Sequence, residues 1–318
     1  MTTRKRASIR PLFQTAVRVG VTPRCKVERV SGASDADDDR KRLPPFLRWA
    51  GGKQILATQL LGYVPADAAS RKYFEPFLGA ATLFFAIRPT RAHLCDSNAH
   101  LIECYRQVRL RPDEVAAKIE YHRRENCEEH YFRVRERYNE AAGRREGRTP
   151  DQAARFIYLN RTCFNGIFRV NRRGQYNVPY GDKARPKYPS RGDLREAGSA
   201  LKTATLYADD YQVPLAGAGE GDFVYFDPPY PPLNGTSYFQ HYTKERFSQQ
   251  DQQGVAEQFR ELAGRKCLVM MTNADTTKIR ALYRGFDITR IHATRFVSCK
   301  LKKHRVREVV IRNYGGMQ

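Results

Sequence analysis

An apolar strand that ends on an acid and two prolines restricts this chain more than any other feature. Residues 223–226 are Phe, Val, Tyr and Phe, and Asp227-Pro228-Pro229-Tyr230 follows at once. Consecutive prolines hold the backbone extended and remove two amide donors, so nearby carbonyl oxygens are left to accept hydrogen bonds from a ligand. In open α/β sheets the carboxyl ends of strands are where ligands bind. An acid beside such carbonyls suits an amino group with two N–H donors, and the adjacent aromatic suits a flat ring. Asp-Pro is also ordinary turn chemistry, so the tetrapeptide gains meaning only from its companions.

The surrounding pattern supplies a fold. From residue 44 to 96 the chain reads loop, helix, strand, turn, helix, strand, with a strand at 72–76, a helix at 80–87 and a second strand at 92–96. That alternation predicts a parallel sheet covered by helices. From 99 to about 160 the character changes. Val115, Ile119, Tyr131, Val134 and Tyr138 recur at helical intervals among many charges, which predicts two or more amphipathic helices over 112–143. Residues 164–180 alternate around Arg172-Arg173-Gly174, a hairpin pattern. After Leu201 the alternation returns, with a helix at 247–262 and strands at 267–271 and 307–312. The organisation expected is a basic disordered tail over 1–42, a core made of 43–98 and 201–318, and an inserted recognition module over 99–200. The tail carries Arg4-Lys5-Arg6 and few positions able to build a core. Its Arg-rich start also fits an organelle transit peptide, but basic tails are common on nucleic-acid binders.

Charge narrows the partners. Lys and Arg total 56 against 34 Asp and Glu, a formal net charge of +22, and they are interleaved with 18 Tyr and 17 Phe. A positive field attracts polyanions, and basic residues mixed with aromatics suit a surface that grips phosphates and handles bases. No apolar run approaches the roughly 20 residues a membrane span needs, so a membrane protein is excluded. The seven Cys include no C-x-x-C pair. The odd count and the spacing argue against a disulfide framework and a zinc site, and for a reduced intracellular compartment. No metal is expected.

Three further segments join the first. Phe74-Glu75-Pro76-Phe77-Leu78-Gly79-Ala80-Ala81 puts a glycine turn between strand and helix, where a cofactor can approach the backbone. Asp96, ending the next strand, can accept from ribose hydroxyls or cap the following helix. Leu47-Arg48-Trp49-Ala50-Gly51-Gly52-Lys53 holds the only Trp, read as an aromatic wall beside a cation or as a core anchor.

In this order, Trp49-Ala50-Gly51-Gly52-Lys53, Glu75 to Gly79, Asp96, Tyr158-Leu159-Asn160-Arg161 and Asp227-Pro228-Pro229-Tyr230 resemble the DNA adenine methyltransferase (Dam) family, class alpha of the N6-adenine methyltransferases. The likeness runs from about Pro44 to Tyr314. It implies an α/β fold: a Rossmann-like S-adenosylmethionine-dependent methyltransferase core with an inserted helical plus hairpin DNA-recognition domain. It implies site-specific transfer of a methyl group from S-adenosylmethionine to adenine N6 in double-stranded DNA by base flipping, with GATC the first candidate sequence and restriction-modification one setting. Asp227, Pro228, Pro229 and Tyr230 would be catalytic. Trp49, Lys53, Phe77, Gly79, Asp96 and Asp227 would bind the cofactor. Arg48, Phe164, Asn165, Arg169 and Pro179 would bind DNA, Phe164 and Asn165 in the disrupted stack, Arg169 on a guanine and Pro179 on a thymine methyl. Arg is the usual bidentate reader of guanine, and apolar contact suits that methyl.

Ala81 stands where the family often has a second Gly, Thr162-Cys163-Phe164 replaces the commoner Tyr-Gly-Tyr, and Arg172-Arg173 is more basic than the pattern. Residues 231–243, with Tyr238, Phe239 and Tyr242, read equally as a lid over a flipped base or as a surface loop, and 300–305 as a phosphate-facing or solvated turn. The competing readings are an inactive methyltransferase-like DNA-binding protein and a methyltransferase acting on cytosine N4, RNA or a protein amide.

Overall fold

The computed structural model describes residues 43–49, 51–142, 144, 147–182, 185–230, 247–296 and 303–315, with backbone alone at 293–296 and 303–306. The tail at 1–42, the segment 231–243 and residues 300–302 lie outside the described residues.

Seven strands form one sheet: β1 (Lys72–Glu75), β2 (Arg91–Cys95), β3 (Ala204–Tyr207), β4 (Phe223–Phe226), β5 (Leu268–Ala274), β6 (Asp287–Phe296) and β7 (Lys303–Arg312), in the order β3-β2-β1-β4-β5-β7-β6. From β3 through β5 every neighbouring pair is parallel, and β7 lies antiparallel to both β5 and β6. This is a Rossmann-like α/β sheet with an antiparallel pair at one edge.

The apolar run that opened the sequence reading explains its own position. β4 is buried at all four residues. Phe223 and Tyr225 face one hydrophobic core, and Val224 and Phe226 face another, because successive side chains of a strand point to opposite faces. A strand buried on both sides has no polar alternate. The first core also takes in the helices that follow β2. The second holds α9 (Gln249–Gly264) and α10 (Thr277–Leu282) against β4, β5 and β7.

Chain order builds the crevice. After β1 the chain adds β2 and β3 on one side, then returns to place β4 on the other side of β1, in register Tyr73↔Phe223 and Phe74↔Val224. The order reverses between β1 and β4, and connections leaving such neighbours in opposite directions open a gap at their carboxyl ends. At that end β1 runs into the Phe77–Gly79 turn and α2 (Thr82–Ile87). Ala81 precedes α2 with φ +55°, a left-handed conformation that costs a non-glycine residue roughly 1–2 kcal/mol. This is the position where the family pattern has glycine.

Between β2 and β3 run α3 (Ala99–Leu110), α4 (Pro112–Arg124), α5 (Glu128–Ala141), α6 (Pro150–Thr162) and α7 (Arg191–Leu201). Asn98 caps α3 by accepting from His100 and Leu101 N–H. Pro opens both α4 and α6, where its missing N–H is not needed. α3 is tied to β3 by Arg106 to the Leu206 carbonyl (3.0 Å) and Arg109 to the Ala204 carbonyl (2.9 Å). From Arg42 to Gln318 the chain is one compact unit.

The expected hairpin is a loop with two antiparallel bridges, Cys163↔Tyr180 and Val170↔Tyr176, rather than a continuous ladder. The turn closes from Gly174 N–H to the Asn171 carbonyl (2.9 Å), with Gly174 at φ +77°. Main-chain bonds join the arms near the tip, Asn177 N–H to the Arg169 carbonyl (3.1 Å) and Asn171 N–H to the Gln175 carbonyl (2.8 Å), and one face of α5 braces the returning arm. Tyr131 and Arg135 both donate to the Val178 carbonyl (2.9 and 3.2 Å), and Asn139 exchanges two bonds with Tyr176, Nδ2 to O at 3.0 Å and N–H to Oδ1 at 2.8 Å. Positions 131, 135 and 139 share a helix face because they are four apart, and alternate residues of an extended arm meet them.

Asn139→Ala leaves both Tyr176 main-chain groups without these partners. It is expected to cost about 1–3 kcal/mol in urea denaturation, with loss of hydrogen-exchange protection at Tyr176. Unchanged protection there would show that α5 does not hold the hairpin.

Candidate active site

At the carboxyl end of β4, Asp227 meets Lys53 from the start of the core. Lys53 Nζ lies 2.6 Å from Oδ1 and 2.8 Å from Oδ2, and it also donates to the Gly51 carbonyl at 2.9 Å. Thr272 on β5 donates to Asp227 Oδ1 at 2.7 Å, and Tyr225 in turn bonds Thr272 at 3.0 Å. Lys53 is buried while the Asp227 side chain is 19% exposed. An ionised carboxylate has about four lone-pair sites. Among the described residues three are occupied, which leaves one acceptor site on Oδ2.

The two prolines carry the chain out of the sheet. Gln252 of α9 donates to the Pro229 carbonyl at 2.7 Å, and Asn273 of β5 holds Gln252 at 3.1 Å. Pro229 therefore anchors the turn through a carbonyl already in use. Tyr230 is folded back, with Lys53 Nζ 4.7 Å from its ring centroid and its hydroxyl donating to Glu308 at 2.8 Å.

A second cluster lies at the ends of β1 and β2. Gly79 has φ +47°, and a Cβ there would come within 2.9 Å of Trp49 Cδ1, so only glycine lets the indole cover this turn. Gly79 donates to Asp96 Oδ2 at 3.0 Å and its carbonyl accepts from Tyr105 at 2.9 Å. Asp96 Oδ1 accepts from Asn98 N–H at 2.9 Å. Asn98, not Asp96, caps α3. Burial pushes the Asp96 carboxyl up, and the amides of Asn98 and Gly79 pull it back down. Trp49 is half-buried and stacks on Phe156 and Phe168 at 6.4 and 6.0 Å between centroids, as an anchor would. Phe77 stacks on Tyr211 at 5.1 Å and meets Phe247 edge-on.

The residues expected to touch DNA gather on the other side of Trp49. Asn160 of α6 clips the Arg48 backbone by accepting from its N–H (2.8 Å) and donating to its carbonyl (2.6 Å). Arg161 donates to the Phe46 carbonyl at 2.6 Å. Burial, with Arg48 nearby, holds Arg161 down to about 10. The Arg48 side chain packs on Gly166, where a Cβ would come within 3.2 Å. Phe164 is 40% exposed, and Asn165 and Gly166 beside it both have positive φ. Phe164 N–H is bonded to the Pro179 carbonyl at 3.0 Å, and Pro179 itself is exposed. Arg169 is held by Asn177, through Nε to Oδ1 (2.8 Å) and Nη2 to the carbonyl (3.1 Å).

The comparisons with known proteins bear on this site directly. Residues 49–297 match the family described as D12 class N6 adenine-specific DNA methyltransferase. The chain belongs to that family. It is 36% identical over 281 residues to the Type II methyltransferase M1.LlaDCHI of Lactococcus lactis subsp. cremoris, covering 86% of this chain and 96% of the relative. Type II methyltransferase M.MjaIII of Methanocaldococcus jannaschii is 34% identical, over 85% of this chain and 99% of the relative. The DNA adenine methylase of Escherichia coli K12 is 33% identical, over 81% and 90%. The protein is thus an adenine-specific DNA methyltransferase, and among its described residues no helix is long and apolar enough to cross a membrane.

The sequence reading of the methyltransferase named Trp49, Lys53, Phe77, Gly79, Asp96 and residues 227–230, and the fold brings all of them to the crevice ends of β1, β2 and β4. It gave no role to Thr272, Gln252, Glu308 or Asn177. These are single polar residues inside apolar or ordinary segments, and only their partners mark them. Glu75 was quoted only as part of a motif. It is 2% exposed and accepts from Tyr73 at 2.9 Å.

Burial pushes the Glu75 carboxyl well above its ordinary 4.5, with Asp227 adding to the rise. A raised folded-state value means that this group's stability contribution is full below about 4.5 and falls as pH rises toward the folded value. Glu75→Gln removes that loss. Relative to wild type, the variant should gain stability between pH 4.5 and 7, by up to about 1.4 kcal/mol per pH unit, in paired urea titrations. A pH-independent difference would mean that Glu75 is ionised in the fold.

Proposed function

We propose that this methyltransferase uses S-adenosylmethionine to methylate N6 of an adenine flipped out of duplex DNA, with GATC as the first candidate site. The observation that carries the proposal is Asp227 at the switch point, charged against Lys53 and oriented by Thr272, with an acceptor site remaining on Oδ2.

The residues present fit the cofactor. Asp96 still has acceptor capacity for hydroxyl donors after taking the Gly79 and Asn98 amides. Lys53 offers a cation to the carboxylate of an amino-acid end, Trp49 and Phe77 are flat walls, and Gly79 leaves the turn backbone open. S-adenosylmethionine supplies the methyl group, carried on a sulfonium.

The target amine is a weak nucleophile because its lone pair is delocalised into the ring. Asp227 Oδ2 and the Pro228 carbonyl accept its two hydrogens, draw the nitrogen toward tetrahedral geometry and stabilise the positive charge that develops there. Pro229 holds the turn and Tyr230 stacks on the base. Flipping costs a few kcal/mol of unstacking. The basic surface offsets it through phosphates, with Phe164 and Asn165 filling the vacated stack. Arg48 and Pro179 complete the DNA contacts, Arg169 reads a guanine, and the segment 99–200 serves as the recognition module of a core made of 43–98 and 201–318. Duplex DNA as substrate and five described cysteines, all free, favour an intracellular setting.

Single-molecule sequencing of DNA from cells expressing the chain should reveal new N6-methyladenine and its sequence context. Its absence, with folded cofactor-binding protein, would defeat the proposal. Asp227→Ala should abolish transfer while filter-binding affinity for DNA stays largely intact, because phosphate contacts dominate binding. An equal fall in both would remove Asp227 from the chemistry. Arg169→Ala should relax choice at one base pair by about 1–3 kcal/mol, and an unaltered site preference would exclude it as a reader.

A further inference from the structure

Glu308 is 1% exposed, in the middle of β7, with Val309, Val310 and Ile311 buried after it. A buried carboxylate costs desolvation unless it is well bonded, and an apolar residue would serve the packing of this strand. Among the described residues it accepts from the hydroxyl of Tyr230, 2.8 Å away and 78 positions earlier in the chain. β7 runs antiparallel to β5 and pairs Glu308 with Ala274 at that strand's carboxyl end. On its other side it pairs Glu308 with Ile291 of β6. The carboxylate is therefore fixed by two ladders at the level of the crevice.

We infer that Glu308 is a positioning residue for Tyr230, setting the plane of the ring that receives the target base and raising its electron density. A hydroxyl donating to a carboxylate makes a stronger bond than one donating to a neutral acceptor, and it pushes charge into the ring. An electron-rich face attracts cations more strongly. Lys53 already lies over this ring at 4.7 Å, and the positive charge developing on the target amine would experience the same attraction. The inference rests on the proposed base-binding role of residues 227–230.

The test uses the full chain as Tyr230→Phe, Glu308→Gln, Glu308→Leu and the Tyr230→Phe/Glu308→Leu double variant. It reads single-turnover methylation together with fluorescence of duplexes carrying 2-aminopurine at the target base. Tyr230→Phe and Glu308→Leu should each slow transfer roughly 10- to 100-fold, with KM for DNA little changed. The double variant should be no slower than either. Glu308→Gln, which keeps an acceptor without charge, should fall between. The 2-aminopurine signal on binding should persist at altered intensity, because the base still leaves the stack but meets an unfixed ring. Additive losses, a wild-type rate in Glu308→Gln and Tyr230→Phe, or losses that follow only the melting temperature would overturn the inference. Failure of the wild-type chain to methylate adenine or to enhance 2-aminopurine fluorescence would instead defeat the proposed function.

Discussion

The ion pair between Lys53 and Asp227 joins the first segment of the core to the central strand of the sheet, and the rest of the site is arranged around it. Buried pairs of this kind add little net stability against apolar replacements, but removing one partner leaves an uncompensated charge that costs about 3–5 kcal/mol. Neither residue can be lost alone without penalty. The pair is completed by Thr272 and by the Gly51 carbonyl, so the carboxylate has little rotational freedom. In the proposed reaction an acceptor held in this way gains from preorganisation, since no reorientation is needed at the moment of reaction.

Around this pair the crevice follows from strand order. Neighbouring strands whose connections depart in opposite directions leave their carboxyl ends uncovered, and here the ends of β1, β2 and β4 bear Gly79, Asp96 and Asp227. The apolar residues of β4 are covered from both sides, and that double burial holds Asp227 at the carboxyl end of the central strand. Ala81 shows the cost of the tight turn: a left-handed alanine is retained with its methyl fully buried.

The segment carrying Arg48 and Trp49 is bonded to α6 and packs on the first core, which runs on through α3 to α7 into Phe168, Tyr176 and Val178 of the hairpin. Asn160 and Arg161 of α6 grip the backbone at Arg48 and Phe46, and Gly166 packs under Arg48, so the segment ending in Trp49 is shared between the cofactor side and the recognition side. A shift of the hairpin base would be felt at the indole over Gly79.

Much of this was legible in advance. The period-two and apolar runs placed β1, β2, β4 and β5 within a residue or two, and the grouping of Trp49, Lys53, Gly79, Asp96 and Asp227 into one site came from motif order. α6 was not seen because its residues are buried nearly all round and leave no polar face to give a period. β3 was missed because its residues are not apolar throughout, as those of the equally short β4 are, and β6 because its polar alternates read as loop. The sequence by itself determined the alternation that makes a parallel sheet and the residue types the chemistry needs, since both depend on local pattern and on side-chain identity. Only the tertiary structure decided that Pro229 has its carbonyl taken by Gln252, that α5 braces the returning arm of the hairpin, and that Glu308 reaches Tyr230. Each is a hydrogen bond between residues distant in the chain, and long-range partners are chosen by packing, which no local pattern encodes.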